Sequence, residues 1–404
     1  MLAGKTVLLG VTGSIAAYKM ANVASMLVKM HAQVYVLMTR NATQFISPVT
    51  FETLTGHKCL IDTFDRNFEF SVEHVSLAKL ADIVLVAPAS ANVIGKIANG
   101  IADDMLTTTV MACKCPKLIA PAMNTQMYEN PVVQDNLEKC RHYGMQIISP
   151  DSGRLACGDI GSGKLPSEET LVDAILRRIR YEKDMEGLHV LVTAGATQEA
   201  IDPVRFISNH STGKMGFAIA RCAMERGADV TVVAASVTAK FPPFVRIVRV
   251  KSAQEMFDAC MELAPQADII IKAAAVADYT PETAAEEKIK KTGDSLSLSL
   301  KRTKDIIAHL GTEKKPGQFL CGFSMETEHM VENSRKKLEK KNLDMIVANN
   351  LKVQGAGFGT DTNIVTILTS DGTKELPIMS KDAVSYEILS EILRIRAVKP
   401  ETEV

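Results

Sequence analysis

Short, continuous apolar runs separated by helix-sized segments recur along the chain, and that rhythm constrains its fold more than any other feature. TVLLGVTG (6–13), QVYVLMT (33–39), ADIVLVAPAS (81–90), KLIAPAMN (117–124) and MQIISP (145–150) form the first series. These runs are apolar throughout and do not alternate, so both faces of each predicted strand must be covered, as in a parallel sheet between two helical layers. Between the first two runs, Met20, Val23, Leu27 and Met30 repeat at helical spacing. A charged amphipathic helix is predicted over 168–183, and near Gly187 the rhythm restarts. HVLVTAGAT (189–197), FAIARCAMERG (217–227), ADVTVVAAS (228–236) and ADIIIKAAAVAD (267–278) then read as strand, helix, strand and strand.

The later residues behave differently. SLSLSLKRT (295–303) alternates strictly, as a half-exposed strand does, and NIVTILTSDGTKELPI (363–378) carries Asp-Gly between two strand-like runs, a hairpin signal. DAVSYEILSEILRIRAV closes the chain as an amphipathic helix. Two α/β domains are therefore expected, 1–186 and 187–404, and a length of 404 residues accommodates both. The first is expected to be a doubly wound, flavodoxin-like parallel sheet, the second a Rossmann-like sheet with an antiparallel extension. Such sheets bind ligands beyond the C-terminal ends of their strands, where Gly, Ser and Asn cluster in this chain.

Lys+Arg 46 against Asp+Glu 47 gives a formal net charge of -1, which offers no electrostatic footprint for nucleic acid. No run approaches the roughly 18 to 20 apolar residues that span a bilayer, and MLAGKTVLLGVTGS enters a strand with no export cleavage site, so a cytoplasmic location without membrane contact is expected. The scattered cysteines read as free thiols in a reducing compartment. Cys113 and Cys115 lack a second ligand pair at zinc spacing and read as buried thiols.

Four segments of the first half carry chemistry. GVTGSIAAYK (10–19) follows a strand and opens a helix, so Gly13, Ser14 and the backbone N–H groups there suit a phosphate. It is not G-x-G-x-x-G, and the next strand ends in Thr39 and Thr43 where a dinucleotide site would place an acid. PASAN (88–92) offers Ser90 and Asn92 after a buried strand, and PAMNTQMYENP (121–131) sets Met123 and Asn124 where a flat apolar ring and a carboxylate could be held. Cys157 lies in GRLACGDIGSGKLP, glycine-dense enough to expect a mobile lid. Ser90 alone would be a helix cap, His74 in SVEHVSLAKLAD a surface histidine, and Cys157 an ordinary thiol.

Together, GSIAAYK, PASAN, the His of Glu-His, PAMN-x-x-M and ACGD-x-G-x-G resemble the homo-oligomeric flavin-containing cysteine decarboxylases, in that family's order, and phosphopantothenoylcysteine decarboxylases in particular. Tyr128 stands where that family commonly has Trp. The resemblance implies FMN held by Gly13, Ser14, Thr39, Ser90 and Asn92, with Met123 near the ring. It also implies that His74 is the base for oxidation of a cysteinyl thiol to a thioaldehyde, whose thiocarbonyl is the electron sink for loss of carbon dioxide. Asn124 would orient the carboxylate. Cys157 would protonate the ene-thiolate, a role suited to a thiol whose unperturbed pKa is about 8.5.

In the second half, TAGATQEAIDPVRFISNHSTGKMG (193–216) is a long polar loop, and Met215 after Lys214 excludes a P-loop. Asp278 ends a strand, Lys288 follows in a charged stretch that by itself reads as solvated, and Lys337 and Lys341 share a helix face. The ordered motifs DPVR-x-ISNHS-x-GKMG, AAVADY, EKIKK, GF-x-x-ET and N-x-x-D-x-I-x-AN resemble phosphopantothenate–cysteine ligases over most of 187–404. The resemblance implies an acyl-cytidylate formed from CTP and then attacked by cysteine, with Asn209 holding the intermediate and Lys288 stabilising charge. Asp278, Lys304, Asp305, Ile306, Ile307, Phe323, Lys337 and Lys341 match that family's nucleotide positions. Magnesium is expected with the triphosphate, its protein ligands unassigned.

The two activities are consecutive, the ligase product being the decarboxylase substrate, so one chain carrying both would act in coenzyme A formation from 4′-phosphopantothenate, cysteine and CTP. The resemblance further implies trimeric flavin domains and dimeric ligase domains, which twelve chains satisfy together. A prenyltransferase-like flavoprotein would not account for the ACGD segment or the second half. A non-catalytic flavoprotein regulator would lack His74, Asn124 or Cys157, and a nicotinamide dehydrogenase would need G-x-G-x-x-G.

Overall fold

The computed structural model of the chain describes residues 2–64, 73–155, 158–290, 296–326, 330–350 and 359–398. They divide into two compact units, Met1–Glu182 and Lys183–Val404. Lys183 and Met185 already belong to the second unit: Met185 N–H donates to the Arg226 carbonyl at 3.0 Å and the Lys183 ammonium donates to the Glu225 carbonyl.

In the first unit, strands β1 (Thr6–Val11), β2 (Gln33–Met38), β3 (Ile83–Ala89), β4 (Lys117–Pro121) and β5 (Gln146–Ile147) form one sheet in the order β2-β1-β3-β4-β5. Every pair is parallel, and the order is that of flavodoxin-like sheets. The central β3 is buried along its whole length, as its unbroken apolar sequence requires. The helices are α1 (Lys19–Lys29), α2 (Pro48–Thr55), α3 (Glu73–Leu80), α4 (Ala91–Ala98), α5 (Met105–Ala112), α6 (Thr125–Tyr128), α7 (Pro131–His142) and α8 (Glu168–Ile179). Met20, Val23 and Leu27 of α1, Phe51 of α2 and Leu171 and Ile175 of α8 seal one face. Val93 and Ile94 of α4, Leu106 of α5 and Leu137 of α7 seal the other. Each such fully buried aliphatic side chain contributes about 1.5–3 kcal/mol. Past the sheet, β6 (Asp151–Arg154) and β7 (Ile160–Lys164) pair antiparallel as a ribbon.

In the second unit the strands are β8 (His189–Ala194), β9 (Gln198–Ala200), β10 (Phe206–Ser208), β11 (Asp229–Ala234), β12 (Arg246–Arg249), β13 (Ile269–Lys272), β14 (Tyr279–Pro281), β15 (Leu300–Arg302), β16 (Phe319–Glu326), β17 (Met345–Asn350), β18 (Thr362–Asn363), β19 (Val365–Thr369), β20 (Thr373–Glu375) and β21 (Met379–Ser380). The main sheet runs β12-β11-β8-β13-β16-β17-β19-β20. Its first six strands are parallel and reverse direction of growth beside β8, the Rossmann arrangement. The predicted Asp-Gly hairpin is β19–β20, added antiparallel to β17. The helices are α9 (Lys214–Glu225), α10 (Ala253–Leu263), α11 (Ile306–Thr312), α12 (Met330–Lys340) and α13 (Lys381–Val398).

The alternating run at 295–303 departs from expectation. Among its described residues only Leu300–Arg302 is strand, paired with β14 in a separate ribbon, and residues 296–300 are exposed on both faces. A short two-stranded ribbon gives its outer strand little to pack against, so Leu300, Lys301 and Arg302 are all exposed. No described helix is long and apolar enough to cross a membrane, and the cysteines described are free thiols.

Candidate functional sites

Sheet order places the first site. The connections leave β1 and β3 on opposite sides, so their C-terminal ends open a crevice. Buried Thr12 ties the two exits together: its hydroxyl donates to the Pro88 carbonyl at 2.6 Å and accepts from Ser90 N–H at 2.9 Å. Gly13 lets the loops after β1 and β2 meet, since a Cβ there would sit 2.7 Å from Asn41 Cβ. Ser14 accepts from Ala16 N–H, and Ser90 caps α4 by accepting from Val93 N–H, each at 3.4 Å.

On the far wall, Asn124 Oδ1 accepts from Gln126 N–H at 2.8 Å and its Nδ2 donates to Asp159 at 3.1 Å. The β6–β7 ribbon is pinned to this turn, with Met123 N–H donating to the Gly163 carbonyl at 3.0 Å. Gly163 has φ 122°, and a Cβ there would lie 2.3 Å from the Met123 carbonyl oxygen. Gly13, Ser14, Ser90, Met123 and Asn124 thus line one cavity of about 450 Å³, with Ile15, Met127 and Leu165 as apolar walls. Hydroxyls and backbone N–H groups at one side and thioethers and aliphatics at the other suit a flat heteroaromatic ring with a phosphate tail.

Thr39 and Asn92 line a neighbouring cavity of about 770 Å³ with Asn41 and Asp103, across the Gly13–Asn41 contact. His74 lies at the start of α3, partly exposed, and lines neither cavity. Cys157 lies outside the described residues.

The second site sits at the C-terminal ends of β13 and β16, where Asp278, Lys304, Asp305, Ile306, Ile307, Phe323, Lys337 and Lys341 converge on a cavity of about 400 Å³. Thr303 fixes the near wall: its N–H donates to the Asp278 carbonyl at 3.0 Å and its hydroxyl to the Ala277 carbonyl at 2.7 Å. Lys341 pairs with Asp305 at 2.7 Å. Burial opposes ionisation of Asp305, but the hydrogen bonds from Lys341 and from Ala308 N–H outweigh it and hold the carboxyl below the usual range. The Lys304 ammonium lies 4.4 Å from the centre of the Phe257 ring, a cation–π contact. Lys272 and Arg302, which no motif singled out, join the lining. Their signal was a basic residue at a strand end, as in Ile-Ile-Ile-Lys.

Asn209 and Lys288 are not brought into that lining. Asn209 donates to the Ala275 carbonyl at 3.2 Å, beside the reversal point between β8 and β13. Lys288 is exposed on a strap tied to the 201–205 turn: Ala285 N–H donates to the Ile201 carbonyl at 2.9 Å and Ile289 N–H to Asp202 at 3.2 Å. Arg205 pairs with Asp202 and donates to the Ile289 carbonyl at 2.9 Å. Its guanidinium, with three backbone N–H groups, holds the Asp202 carboxyl well below the usual aspartate range.

The chain matches two families in succession, Flavoprotein over residues 1–180 and DNA/pantothenate metabolism flavoprotein C-terminal domain over 185–395. It is similar to the coenzyme A biosynthesis bifunctional protein CoaBC of Bacillus subtilis (strain 168), 49% identical over 97% of each chain. The corresponding protein of Escherichia coli (strain K12) is 41% identical, again over 97% of each. The crystal structure of a C-terminal domain of CoaBC is 40% identical, covering 53% of this chain and 98% of that one, with a TM-score of 0.46. A PPC decarboxylase mutant complexed with pantothenoylaminoethenethiol is 29% identical, covering 42% of this chain and 96% of its own, with a TM-score of 0.38. Identity of this depth spans both units and nearly the whole length of the relatives, and the chain belongs to the family of coenzyme A biosynthesis bifunctional proteins.

Proposed function

We propose that the chain catalyses two consecutive reactions of coenzyme A biosynthesis. The second unit ligates cysteine to 4′-phosphopantothenate through an acyl-cytidylate, and the first unit decarboxylates the resulting 4′-phosphopantothenoylcysteine to 4′-phosphopantetheine with FMN. The observation that carries this reading is the 49% identity to a bifunctional relative over 97% of both chains. The two cavities agree with it in chemistry: one has apolar walls beside hydroxyls, the other gathers five cationic side chains against two carboxylates.

In the ligase unit, Lys304, Lys337 and Lys341 offset the charge of the CTP triphosphate, while Asp278 and the 304–307 backbone position the nucleotide. Asn209 holds the acyl-nucleotide and Lys288 stabilises charge as it forms. Pyrophosphate release drives amide formation, which is unfavourable in water on its own. Magnesium binds with the triphosphate, and ligation is expected to stop when it is chelated.

In the flavin unit, Gly13, Ser14 and Ser90 face the phosphate tail, with Thr39 and Asn92 on the adjoining side, and Met123 packs on the ring. Bound FMN supplies a two-electron oxidation of the substrate thiol that is reversed later in the same turnover. His74 removes the thiol proton, Asn124 orients the departing carboxylate, and Cys157 returns a proton to carbon. Because His74 lines neither cavity of its own chain, a neighbouring copy supplies it, consistent with trimeric flavin domains. Dimeric ligase domains then lead to twelve chains.

The test is incubation of the full chain with 4′-phosphopantothenate, cysteine, magnesium and either CTP or ATP. Absence of flavin colour and of carbon dioxide would remove the decarboxylase half, and turnover with ATP alone would remove the CTP assignment.

A further inference from the structure

Lys272 ends β13 in register with Gly322 of β16 and Thr193 of β8. Ile270 and Leu320, on the same face of the sheet, belong to a core cluster with Cys260, Ile307, Leu343 and Ile346. The lysine therefore rises from an apolar floor at the closed end of the nucleotide cavity, which it lines. Beside it, Gly322 presents only backbone: a Cβ there would lie 2.7 Å from Ile307 Cδ1 and 3.2 Å from Leu343 Cδ1.

Among the described residues the Lys272 ammonium makes neither a hydrogen bond nor an ion pair. The groups that face it are Asp305 before α11, Asp278 after β13, Lys341 after α12 and the Cys260 thiol of α10. Lys304, Lys337 and Arg302 line the same cavity. Burial lowers the lysine pKa most; the Asp305 and Asp278 carboxylates favour the charged form and Lys341 opposes it. Burial also pushes the Cys260 thiol up to about 12, so it stays neutral. Lys272 is half-buried and opens onto the cavity, so its ammonium, held against an apolar floor with no protein partner, is placed to meet an anionic occupant.

We propose, on the nucleotide reading of this cavity, that Lys272 contacts an anionic phosphate oxygen of the bound nucleoside triphosphate and takes up a proton from solvent as the nucleotide enters. Negative charge beside the amine favours its protonated form, so the complex holds the proton more tightly than the free enzyme does. Affinity is then greatest at pH values below the free-site pKa. It falls by up to tenfold per pH unit above that value and levels off once the lysine is neutral in the complex as well.

Calorimetric titration of the full chain with CTP, at an alkaline pH where CTP is fully ionised and in buffers of different ionisation enthalpy, tests this. The wild-type binding enthalpy is expected to vary with the buffer in the direction of proton uptake. Lys272→Met is expected to remove that variation and weaken CTP by about tenfold, or about 1.4 kcal/mol. Lys272→Arg, permanently charged, is expected to keep most of the affinity without the buffer dependence, a separation that a purely structural lysine would not produce. A buffer-independent wild-type enthalpy, or wild-type affinity in Lys272→Met, overturns the inference. If Lys337→Ala and Lys341→Ala leave CTP affinity unchanged, the nucleotide reading of the cavity itself falls, and the inference with it.

Discussion

Replacing Gly163 with alanine is expected to separate the two activities. Its φ of 122° lies where L side chains are strained, which costs about 1–3 kcal/mol. The added Cβ would stand 2.3 Å from the Met123 carbonyl oxygen. That atom is backbone, so no rotamer change relieves the contact, and clearing 3.0 Å moves the Met123–Asn124 peptide by about 0.7 Å. Asn124 is the residue proposed to orient the carboxylate, and a misplacement near 1 Å costs about 10²-fold in rate, about 2.7 kcal/mol of barrier. The assay supplies 4′-phosphopantothenoylcysteine to the full chain and measures carbon dioxide, with pyrophosphate release from CTP followed in parallel. Decarboxylation is expected to fall about 100-fold while ligation stays within about twofold of wild type. A variant that decarboxylates at the wild-type rate would show that the ribbon does not position Asn124. Parallel loss of both activities would contradict their assignment to separate units.

Cys157→Ser is expected to release carbon dioxide yet accumulate the unprotonated ene-thiol product; mass spectrometry showing normal phosphopantetheine output would remove Cys157 from the proton return. Lys341→Ala deletes the 2.7 Å partner of Asp305, so KM for CTP should rise by about tenfold with decarboxylation of supplied substrate unaffected; an unchanged KM would refute a nucleotide contact. Asp202 has a depressed carboxyl pKa in the folded state, held by Arg205, so its contribution to stability is complete above the unfolded aspartate value of about 3.9 and is lost as pH falls toward the folded value. Thermal melts of Asp202→Asn should therefore be lowered near neutrality and converge on wild type in acid, and a constant difference across that range would show that the Arg205 pair is not the cause.

Strand content and order were legible to different degrees. Unbroken apolar runs such as Ile83–Ala89 report a strand covered on both faces, because a run this short and β-branched, ending in a proline turn, suits a strand better than a buried helix. The Asp-Gly hairpin was legible because its turn chemistry is local: Thr369 N–H donates to the Gly372 carbonyl at 3.0 Å. Strict alternation at 295–303 misled because period two records a pleat without recording whether any layer covers it. Leu296, Leu298 and Leu300 are 56%, 38% and 43% exposed, so neither the strand end nor the residues before it turn an apolar face to a covering layer among the described residues.

Sites were legible where a motif follows its own strand directly. Gly13, Ser14 and Ser90 exit two strands that the sheet sets side by side, so their meeting needs only the parallel order to be right. Asn124 needed the later β6–β7 ribbon to fix its turn, which pattern alone did not reveal. The nucleotide cavity shows the harder case. Its five cations come from β13, from the end of β15 and the residues just after it, and from the C-terminal end of α12, and each local sequence is an ordinary mixture of charges. A chain with a net charge of -1 therefore conceals a strongly positive pocket, because the sum over residues discards where the fold puts them. Lys272 is the extreme instance. In sequence it is one basic residue after three isoleucines, and it becomes a floor group only because the register sets it against Gly322, fifty positions away.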